Sequence, residues 1–496
     1  MNDPIEVTTQ PAGRGGPPHL DSNPAALAQI DSVYFFMWPG WREELESNRW
    51  HWGKRWGRRF PVVFIQPELP QGEAASANPE PRLKNIEILS VESQAAEPDS
   101  LLSVGLRQCG QIAGHMLTRG HERPLFWFYN PWLVVPFLML PASARVYHAT
   151  ENYFDFENIP EHWLALARHS IEASNLVICC SHGVARGLAE HTRSQNLLTL
   201  SNGCEYQKYS RPRMPRGKWP ARIEDFRQSN RRLAAFAGNI DLRLDYQLIS
   251  SIAIRHPEMG FVLAGPVNFA SLSVQQRQDF NALLGLSNVR TLGRLPPEDL
   301  PALYWSCDVG ILPYRTDMPL LVENGFPLKA LEMAAAGLPV VSSLMKPLQQ
   351  LPEAVTVVDS PEAFRLAVAT HSRRVRPAAA REAAERVCRA YDYDIIFERM
   401  LGELGRGIQD ATAQPGNLAD FVARIGVRSF CRGLAGLRPM PRVRALASLT
   451  LIPNVLAAQT RIPFRYRAGE LLGFIPQPVR RMVPAPMRRL GRRWMA

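Results

Sequence analysis

The sequence has few of the features that mark secreted or metal-binding proteins. It contains seven cysteines, an odd number, and no pair has the C-x-x-C spacing. Cys179 and Cys180 are adjacent within an apolar run, which is typical of strand residues. This pattern predicts reduced thiols, as in a cytosolic protein, and no metal site.

Long apolar runs are also missing. The longest, Leu125 to Leu140, is interrupted by Asn130, Pro131 and Pro136 and is too short to span a bilayer. Residues 1–30 are polar, contain proline and glycine, and lack the apolar segment of a signal peptide, so we expect a disordered N-terminus. These absences predict a cytoplasmic protein.

The chain has no net positive charge outside the C-terminal tail. The chain carries a net charge of +11, but residues 411–496 alone hold fifteen arginines, no lysine and two acidic residues. The rest of the chain is therefore close to neutral. The basic character belongs to the tail, and not to the body that precedes it.

The chain is too long for one typical domain. The sequence contains two series of alternating strand and helix patterns, which predicts an α/β protein with two parallel, doubly wound sheets. The predicted divisions are a first domain over 31–205, a polar and basic linker over 206–232, and a second domain over 233–405 that ends in one long helix from Ala379 to about Leu404.

One segment, Asp308 to Ser343, is the most informative. A short apolar strand stops at Pro313, a loop follows to Phe326, and a second apolar strand comes after Gly337. Between them lies a helix with Pro327 in its first turn, where a missing N–H costs little, and Gly337 after its last turn.

Lys329 and Glu332 lie three positions apart on this helix and therefore share a face. The helix begins at the carboxyl edge of the sheet, where ligands bind in open α/β folds. A helix N-terminus and a lysine attract phosphate, and a carboxylate one turn on can accept hydrogen bonds from a ribose. The alternative is an ordinary helix with a surface lysine and a solvated glutamate.

The stretch NGFPLKALEMAAAGLPVVSS resembles the donor-binding motif of GT-B-fold glycosyltransferases. It is most similar to a branch, the exopolysaccharide or teichuronic-acid type, that reads N-P-L-K-x-x-E-x-x-A-x-G-x-P-V-V. The resemblance implies two Rossmann-like domains facing a cleft, to which this chain would add a basic, mainly helical C-terminal tail. It also implies a glycosyltransferase that uses a nucleotide sugar, with a UDP- or GDP-sugar expected, and no metal or other cofactor.

The resemblance assigns a donor site. Glu332 matches the glutamate that binds the ribose, and Lys329 matches a lysine expected near the diphosphate. The turn at Gly238 and Asn239 is expected to approach the diphosphate too, although taken alone a single glycine is better explained by an ordinary strand-end turn. The other residues predicted to line the donor site are Asn324, Pro327 and Leu328.

The first half carries further family motifs in the same order: WFYNP, VYHATEN, SNLVICCS and NGCE. Inverting transfer needs a base for the acceptor hydroxyl. Glu151 is the first choice, followed by His148 and Asp155, because the family has acidic residues in this motif. Glu151 as a helix cap is the alternative, and a retaining enzyme would need no base at all.

Tryptophans are concentrated between the first two predicted strands. Trp38, Trp41 and Trp50 stand among arginines, which suits an acceptor cleft because sugars stack on aromatic rings. Packing of a helix on the sheet is the alternative. The acceptor would be a saccharide or a lipid-linked sugar.

Two other functions stay open: a GT-B-fold sugar-nucleotide epimerase, and a nucleic-acid-binding protein suggested by the basic tail. We expect no nucleic-acid partner, because the tail has no nucleic-acid-binding module. Near its end, Met487, Leu490 and Trp494 form one helical stripe opposite four arginines. This pattern predicts peripheral binding to an anionic membrane, at the inner face of the cytoplasmic membrane. The alternative is a helical subdomain packed on the body of the protein, with its arginines solvated.

Overall fold

The computed structural model describes residues 27–37, 46–67, 83, 85–93, 98–129, 133–156, 159, 161–194, 196–210, 223–373 and 376–409. They divide into two compact units. The first unit holds the described residues up to Leu200 and the end of the last helix, from Glu403. The second unit runs from Ser201 to Gly402. The predicted N-terminal disorder and the basic tail lie outside the described residues.

The first unit is built on a seven-stranded sheet with the strand order β3-β2-β1-β4-β5-β6-β7, parallel throughout. Its strands are Ser32–Phe36 (β1), Val62–Pro67 (β2), Ile86–Val91 (β3), Pro124–Phe128 (β4), Ala144–Ala149 (β5), Leu176–Cys179 (β6) and Leu197–Thr199 (β7). Its helices are Asn48–Trp56 (α1), Pro98–Arg119 (α2), Val134–Met139 (α3), Glu161–Glu172 (α4) and His182–His191 (α5).

The second unit is built on a six-stranded parallel sheet in the order β10-β9-β8-β11-β12-β13. Its strands are Arg232–Ala237 (β8), Met259–Ala264 (β9), Val289–Gly293 (β10), Val309–Leu312 (β11), Val340–Ser343 (β12) and Val355–Val358 (β13). Its helices are Tyr206–Tyr209 (α6), Glu224–Ser229 (α7), Tyr246–Arg255 (α8), Val274–Leu284 (α9), Leu300–Trp305 (α10), Pro319–Asn324 (α11), Leu328–Ala335 (α12), Pro361–Arg373 (α13) and Ala378–Ala390 (α14). The last helix, Tyr393–Gln409 (α15), begins in the second unit and ends in the first.

Both sheets are buried on their two faces. All residues of β1, β4, β9 and β11 are buried, as expected for parallel strands covered by helices on each side. The predicted α/β class with two doubly wound sheets is therefore confirmed. No helix within the described ranges is both long enough and apolar enough to cross a membrane.

Three predicted features differ in the structure. The first is the segment 206–232, predicted as a linker. It supplies α6 and α7 to the second unit, and Tyr206 and Phe226 are buried in that unit's core. The second is the loop from Tyr314 to Phe326, which contains the short helix α11; its Pro319 occupies the first turn.

The third is the long helix predicted from Ala379, which is two helices, α14 and α15. The backbone N–H of Cys204 bonds to the Tyr391 carbonyl at 3.0 Å, and the N–H of Tyr393 bonds to the Cys204 carbonyl at 3.1 Å. The Asp392 carboxylate accepts from the N–H groups of Tyr206 and Asp394. These bonds use backbone groups that a continuous helix would pair internally, so the helix is interrupted.

Helix α12 has the boundaries that place the site. Pro327 lies just before the helix, in extended conformation, so it is not in the first turn as predicted. At the other end Gly337 has φ +83°, and the N–H groups of Gly337 and Leu338 bond to the carbonyls of Ala334 and Met333. This is a Schellman motif, which needs glycine at the left-handed position.

Candidate active site

The second sheet has a switch point at its centre. Strand β9 lies on one side of β8 and β11 on the other, so the connections that follow β8 and β11 leave the sheet toward opposite faces. In open α/β sheets ligands bind at the carboxyl ends of such strands. Gly238 follows β8 here, and Tyr314 follows β11.

Glycine turns let backbones come very close together at this edge. Gly238 and Gly265 have φ +144° and +148°, a region that side chains other than glycine rarely adopt. A Cβ on Gly265 would lie 1.8 Å from the Gly238 carbonyl oxygen. The N–H of Gly238 donates to the Ala264 carbonyl at 2.8 Å. Neither glycine can therefore be replaced without moving the turn.

Lys329 reaches this turn from α12. A Cβ on Gly238 would lie 2.0 Å from Lys329 Nζ, so the ammonium group rests against the glycine backbone. The same Nζ donates to Tyr314 Oη at 3.0 Å and lies 4.8 Å from the centre of the Phe236 ring. The structure thus brings together two residues of the predicted donor site, Lys329 and Gly238. Asn239 is next to them and exposed.

Glu332 lies one turn further along α12 and is half-buried. Burial raises the pKa of the Tyr304 phenol well above its usual value, and the Glu332 carboxylate is the charge that adds most to this shift. The pKa of the buried Cys204 thiol is raised mainly by desolvation, then by Cys388 and Asp392, and Glu332 adds to this shift. The carboxylate therefore stands close to a buried phenol, whose hydroxyl proton is held tightly.

The other predicted donor residues lie at the start of the same helix. Asn324 ends α11, and Pro327 and Leu328 form the entry to α12; all three are half-buried. Asn202 Nδ2 donates to the Phe326 carbonyl at 2.8 Å and so fixes the segment between the two helices. Sequence reasoning missed Phe236, Tyr304 and Tyr314. The only signal for Phe236 and Tyr314 was their position near strand ends, and Tyr304 lies within helix α10.

A pocket at the same edge of the second sheet is lined by polar groups that already have hydrogen-bond partners. An open pocket of about 430 Å³ lies beside the first turns of α8 and α9. Arg315 and Asp317 form a bidentate pair across it, and Asp279 accepts hydrogen bonds from Gln247 and Gln275. These polar groups of the pocket are therefore already hydrogen-bonded to one another.

In the first unit, Glu151 and Asp155 are exposed on the turn that follows β5. This turn, Tyr153–Asp155, is capped by Asn152, whose side chain accepts from the Phe154 N–H at 3.2 Å. Glu151 is therefore not the cap of this turn. Its charge adds to desolvation in raising the pKa of Cys180 to about 12. Both carboxylates are open to solvent and could receive a proton.

His148 is placed quite differently. It is fully buried, stacks on Tyr129 with ring centres 4.9 Å apart, and meets the edges of Trp52 and Trp127. Burial lowers its pKa to about 3, and neither ring nitrogen has a hydrogen-bond partner among the described residues. This burial argues against His148 as the base, because no acceptor can reach the ring in this conformation.

The tryptophans favour the packing alternative where the structure describes them. Trp50 is buried on α1, with Lys54 Nζ 4.9 Å from its ring centre, and Trp52 and Trp56 are buried on the same helix. Trp38 and Trp41 lie outside the described residues. Among the residues with described positions, no group of three or more histidine, cysteine or acidic side chains is arranged to hold a metal ion.

Part of the chain is similar in sequence to known glycosyltransferases. Residues 234–373, within the second unit, match the family described as "Glycosyl transferases group 1". The chain is 30% identical over 146 residues to the "Putative teichuronic acid biosynthesis glycosyltransferase TuaH" of Bacillus subtilis. That alignment covers 29% of this chain and 34% of the relative, so the chain spans about a third of the length of the curated relative it matches.

Solved structures share the fold. Sucrose-phosphate synthase from Thermosynechococcus elongatus superposes with a TM-score of 0.58 and 13% identity over 77% of this chain and all of that one. Anabaena Alr3699/HepE, in complex with UDP and glucose, gives 0.55 and 15% over 75% and 98%. At such identities the likeness shows the fold alone. With the family match, it confirms the predicted resemblance to GT-B glycosyltransferases.

Proposed function

We propose that this protein is a glycosyltransferase that moves a sugar from a nucleotide-sugar donor to a saccharide or lipid-linked acceptor in bacterial surface polysaccharide biosynthesis. The observation that carries the proposal is the Lys329 ammonium group, held against the Gly238 turn at the switch point of the second sheet. The described residues favour neither the epimerase nor the nucleic-acid alternative.

The geometry suits a diphosphate leaving group. Cleavage of the bond between the anomeric carbon and the phosphate oxygen leaves the electron pair, and hence negative charge, on the diphosphate. A fixed cation beside that charge lowers the barrier because its attraction grows in the transition state. Lys329 supplies the cation, and the glycine turn allows the phosphates to approach the backbone. Glu332 would accept hydrogen bonds from the ribose hydroxyls.

We propose Glu151 as the base that takes the proton of the acceptor hydroxyl as its oxygen attacks the anomeric carbon. The carboxylate is exposed, and Asn152, not Glu151, caps the adjacent turn. Asp155 is the second choice. We expect transfer to need no metal, which activity after dialysis against a chelator would test.

The first experiment is a thermal-shift screen with UDP-, GDP-, dTDP- and ADP-sugars. A ligand present at 100 times its Kd should stabilise the folded protein by about 2.7 kcal/mol. We expect one nucleotide class to raise the Tm, with a UDP-sugar first because solved neighbours carry UDP. Slow hydrolysis of that donor without acceptor would distinguish a transferase from an epimerase. No shift with any donor would contradict the proposal.

Membrane association is a separate part of the proposal and rests on the sequence of the tail. We propose that residues 411–496 bind anionic lipid at the cytoplasmic face, where a lipid-linked acceptor would be found. The test is flotation with anionic and neutral vesicles, comparing the full chain with one ending at Gln409. Equal flotation of both chains, or of neither, would contradict a role for the tail.

A further inference from the structure

The Lys329 ammonium group sits in a small aromatic box. Its Nζ is 3.0 Å from Tyr314 Oη, 4.8 Å from the Phe236 ring centre and 5.7 Å from the Tyr314 ring centre. A cation at such distances from an aromatic face is attracted by the ring quadrupole. The two rings meet edge to face, with centres 6.2 Å apart.

The box is built on the two strands that flank the switch point. Phe236 belongs to β8 and Tyr314 follows β11, which pair in register at Val309–Ala234 and Gly310–Ala235. The backbone of Tyr314 is held twice: its N–H donates to the Leu312 carbonyl at 3.0 Å, and it forms an antiparallel bridge with Leu244. Only 4% of its surface is exposed, so the phenol has little freedom to rotate.

Among the residues that the structure describes, no carboxylate forms an ion pair with the Lys329 ammonium group, whereas Lys346 forms one with Glu323. In the bond with Tyr314 the ammonium donates and the phenol oxygen accepts, which leaves two N–H donors of Lys329 and the phenol's own proton for another acceptor. A half-buried, unpaired cation with free donors fits an anionic ligand.

We infer that Tyr314, together with Phe236, is a positioning residue that holds the Lys329 ammonium group at the Gly238 turn for the donor diphosphate. The inference rests on the proposed function. A lysine has a flexible four-carbon stem, and fixing it on binding would cost conformational freedom. The aromatic box fixes it beforehand without neutralising it, as a carboxylate partner would.

The alternative is that Tyr314 only fills space beside Phe236. Tyr314→Phe separates the two, because it keeps the ring and removes the oxygen. Tyr246→Phe is the matched control: Tyr246 is buried in the same unit and donates its hydroxyl to the Asp241 carbonyl at 2.8 Å, away from Lys329. Phe236→Leu tests the ring face independently and guards against a Tyr314→Phe protein that does not fold.

The experiment is calorimetric titration of each variant with the nucleoside diphosphate that the screen identifies, and with the corresponding nucleoside. We expect Tyr314→Phe to weaken diphosphate binding about ten-fold, which corresponds to one hydrogen bond to a charged group. Nucleoside binding and Tm should match the wild type. In a Lys329→Ala background the Tyr314→Phe effect should disappear, since the phenol acts through the lysine.

Results against the positioning role of Tyr314 can be distinguished from results against the proposed function. If the wild type binds a nucleoside diphosphate and Tyr314→Phe binds it equally well, Tyr314 does not position the lysine. An equal loss for nucleoside and diphosphate, or an equal loss in Tyr246→Phe, would likewise indicate a structural role only. If the wild type binds no nucleoside diphosphate at all, the proposed function fails, and the inference with it.

Discussion

Both sheets have a parallel, doubly wound strand order, but the side chains at their carboxyl edges differ. At the edge of the second sheet, Gly238 and Gly265 leave the backbone bare beside an unpaired lysine. At the edge of the first, the rings of Trp127 and Tyr129 cover a buried histidine. The fold offers a ligand crevice at both places, but side-chain size decides whether it stays open. The proposed donor chemistry therefore belongs to the second edge.

The largest effect is expected at the exposed turn of the first unit. Glu151→Gln should lower the transfer rate by about 10²- to 10⁴-fold, the usual contribution of a general base, and leave donor binding intact. Asp155→Asn tests the second choice and should keep the wild-type rate if Glu151 is the base. Steady-state transfer assays and donor titration measure the two quantities. A wild-type rate in Glu151→Gln would move the base to Asp155 or indicate a retaining mechanism.

Lys329→Ala comes next, at the second edge. We expect kcat to fall by about 10²- to 10³-fold, with a smaller change in donor affinity, because the leaving group gains charge in the transition state. Lys346→Ala, which removes a lysine already paired with Glu323, should change neither value. A Lys329→Ala protein that loses affinity but keeps its kcat would show that the lysine only binds.

Glu332→Ala should weaken the donor by about 1.5–3 kcal/mol, roughly 10- to 150-fold, because hydrogen bonds from the ribose to a carboxylate are lost. Glu362→Ala, on the exposed side of α13, is the control. Thermal unfolding should show that both variants fold. Unchanged donor affinity in a folded Glu332→Ala protein would remove Glu332 from the donor site.

The smallest expected effect is on the pH dependence of stability, and it comes from the buried His148 at the edge of the first sheet. Because burial lowers the pKa of His148 to about 3, the folded protein keeps this ring neutral well below pH 6.5, whereas the unfolded chain binds a proton there. Stability should therefore fall as the pH falls, by about 2 kcal/mol between pH 7 and pH 5 from this group alone.

Urea unfolding at the two pH values measures that loss. His148→Phe should remove most of this pH dependence while keeping an aromatic ring against Tyr129. His191→Asn, at an exposed histidine, is the control and should leave the dependence unchanged. An undiminished pH dependence in His148→Phe would mean that the ring is not sealed from solvent as the structure shows.

Local signals predicted much of this molecule. Gly337 and the apolar runs beside it marked α12 and its flanking strands, and the spacing of Lys329 and Glu332 placed both on one face. These features depend on residues that are near each other in the sequence, and for that reason the sequence alone was enough to predict them.

What failed depended on distant partners. The break after α14 is made by Cys204, far away in the chain, and the burial of His148 requires rings from α1 and β4. The aromatic box around Lys329 combines β8 with the segment after β11. Periodicity carries no information about such pairings, so Tyr314 could not be singled out beforehand.

The measurement that tests the central claim most directly is amide hydrogen exchange, with and without the nucleotide sugar that the screen identifies. We predict slower exchange on binding in residues 238–245, 313–318 and 328–332, which surround the open edge of the second sheet. Exchange in β4 and β5 of the first unit should not change. Protection confined to the first unit, or bound donor with no protection around Lys329, would contradict the account.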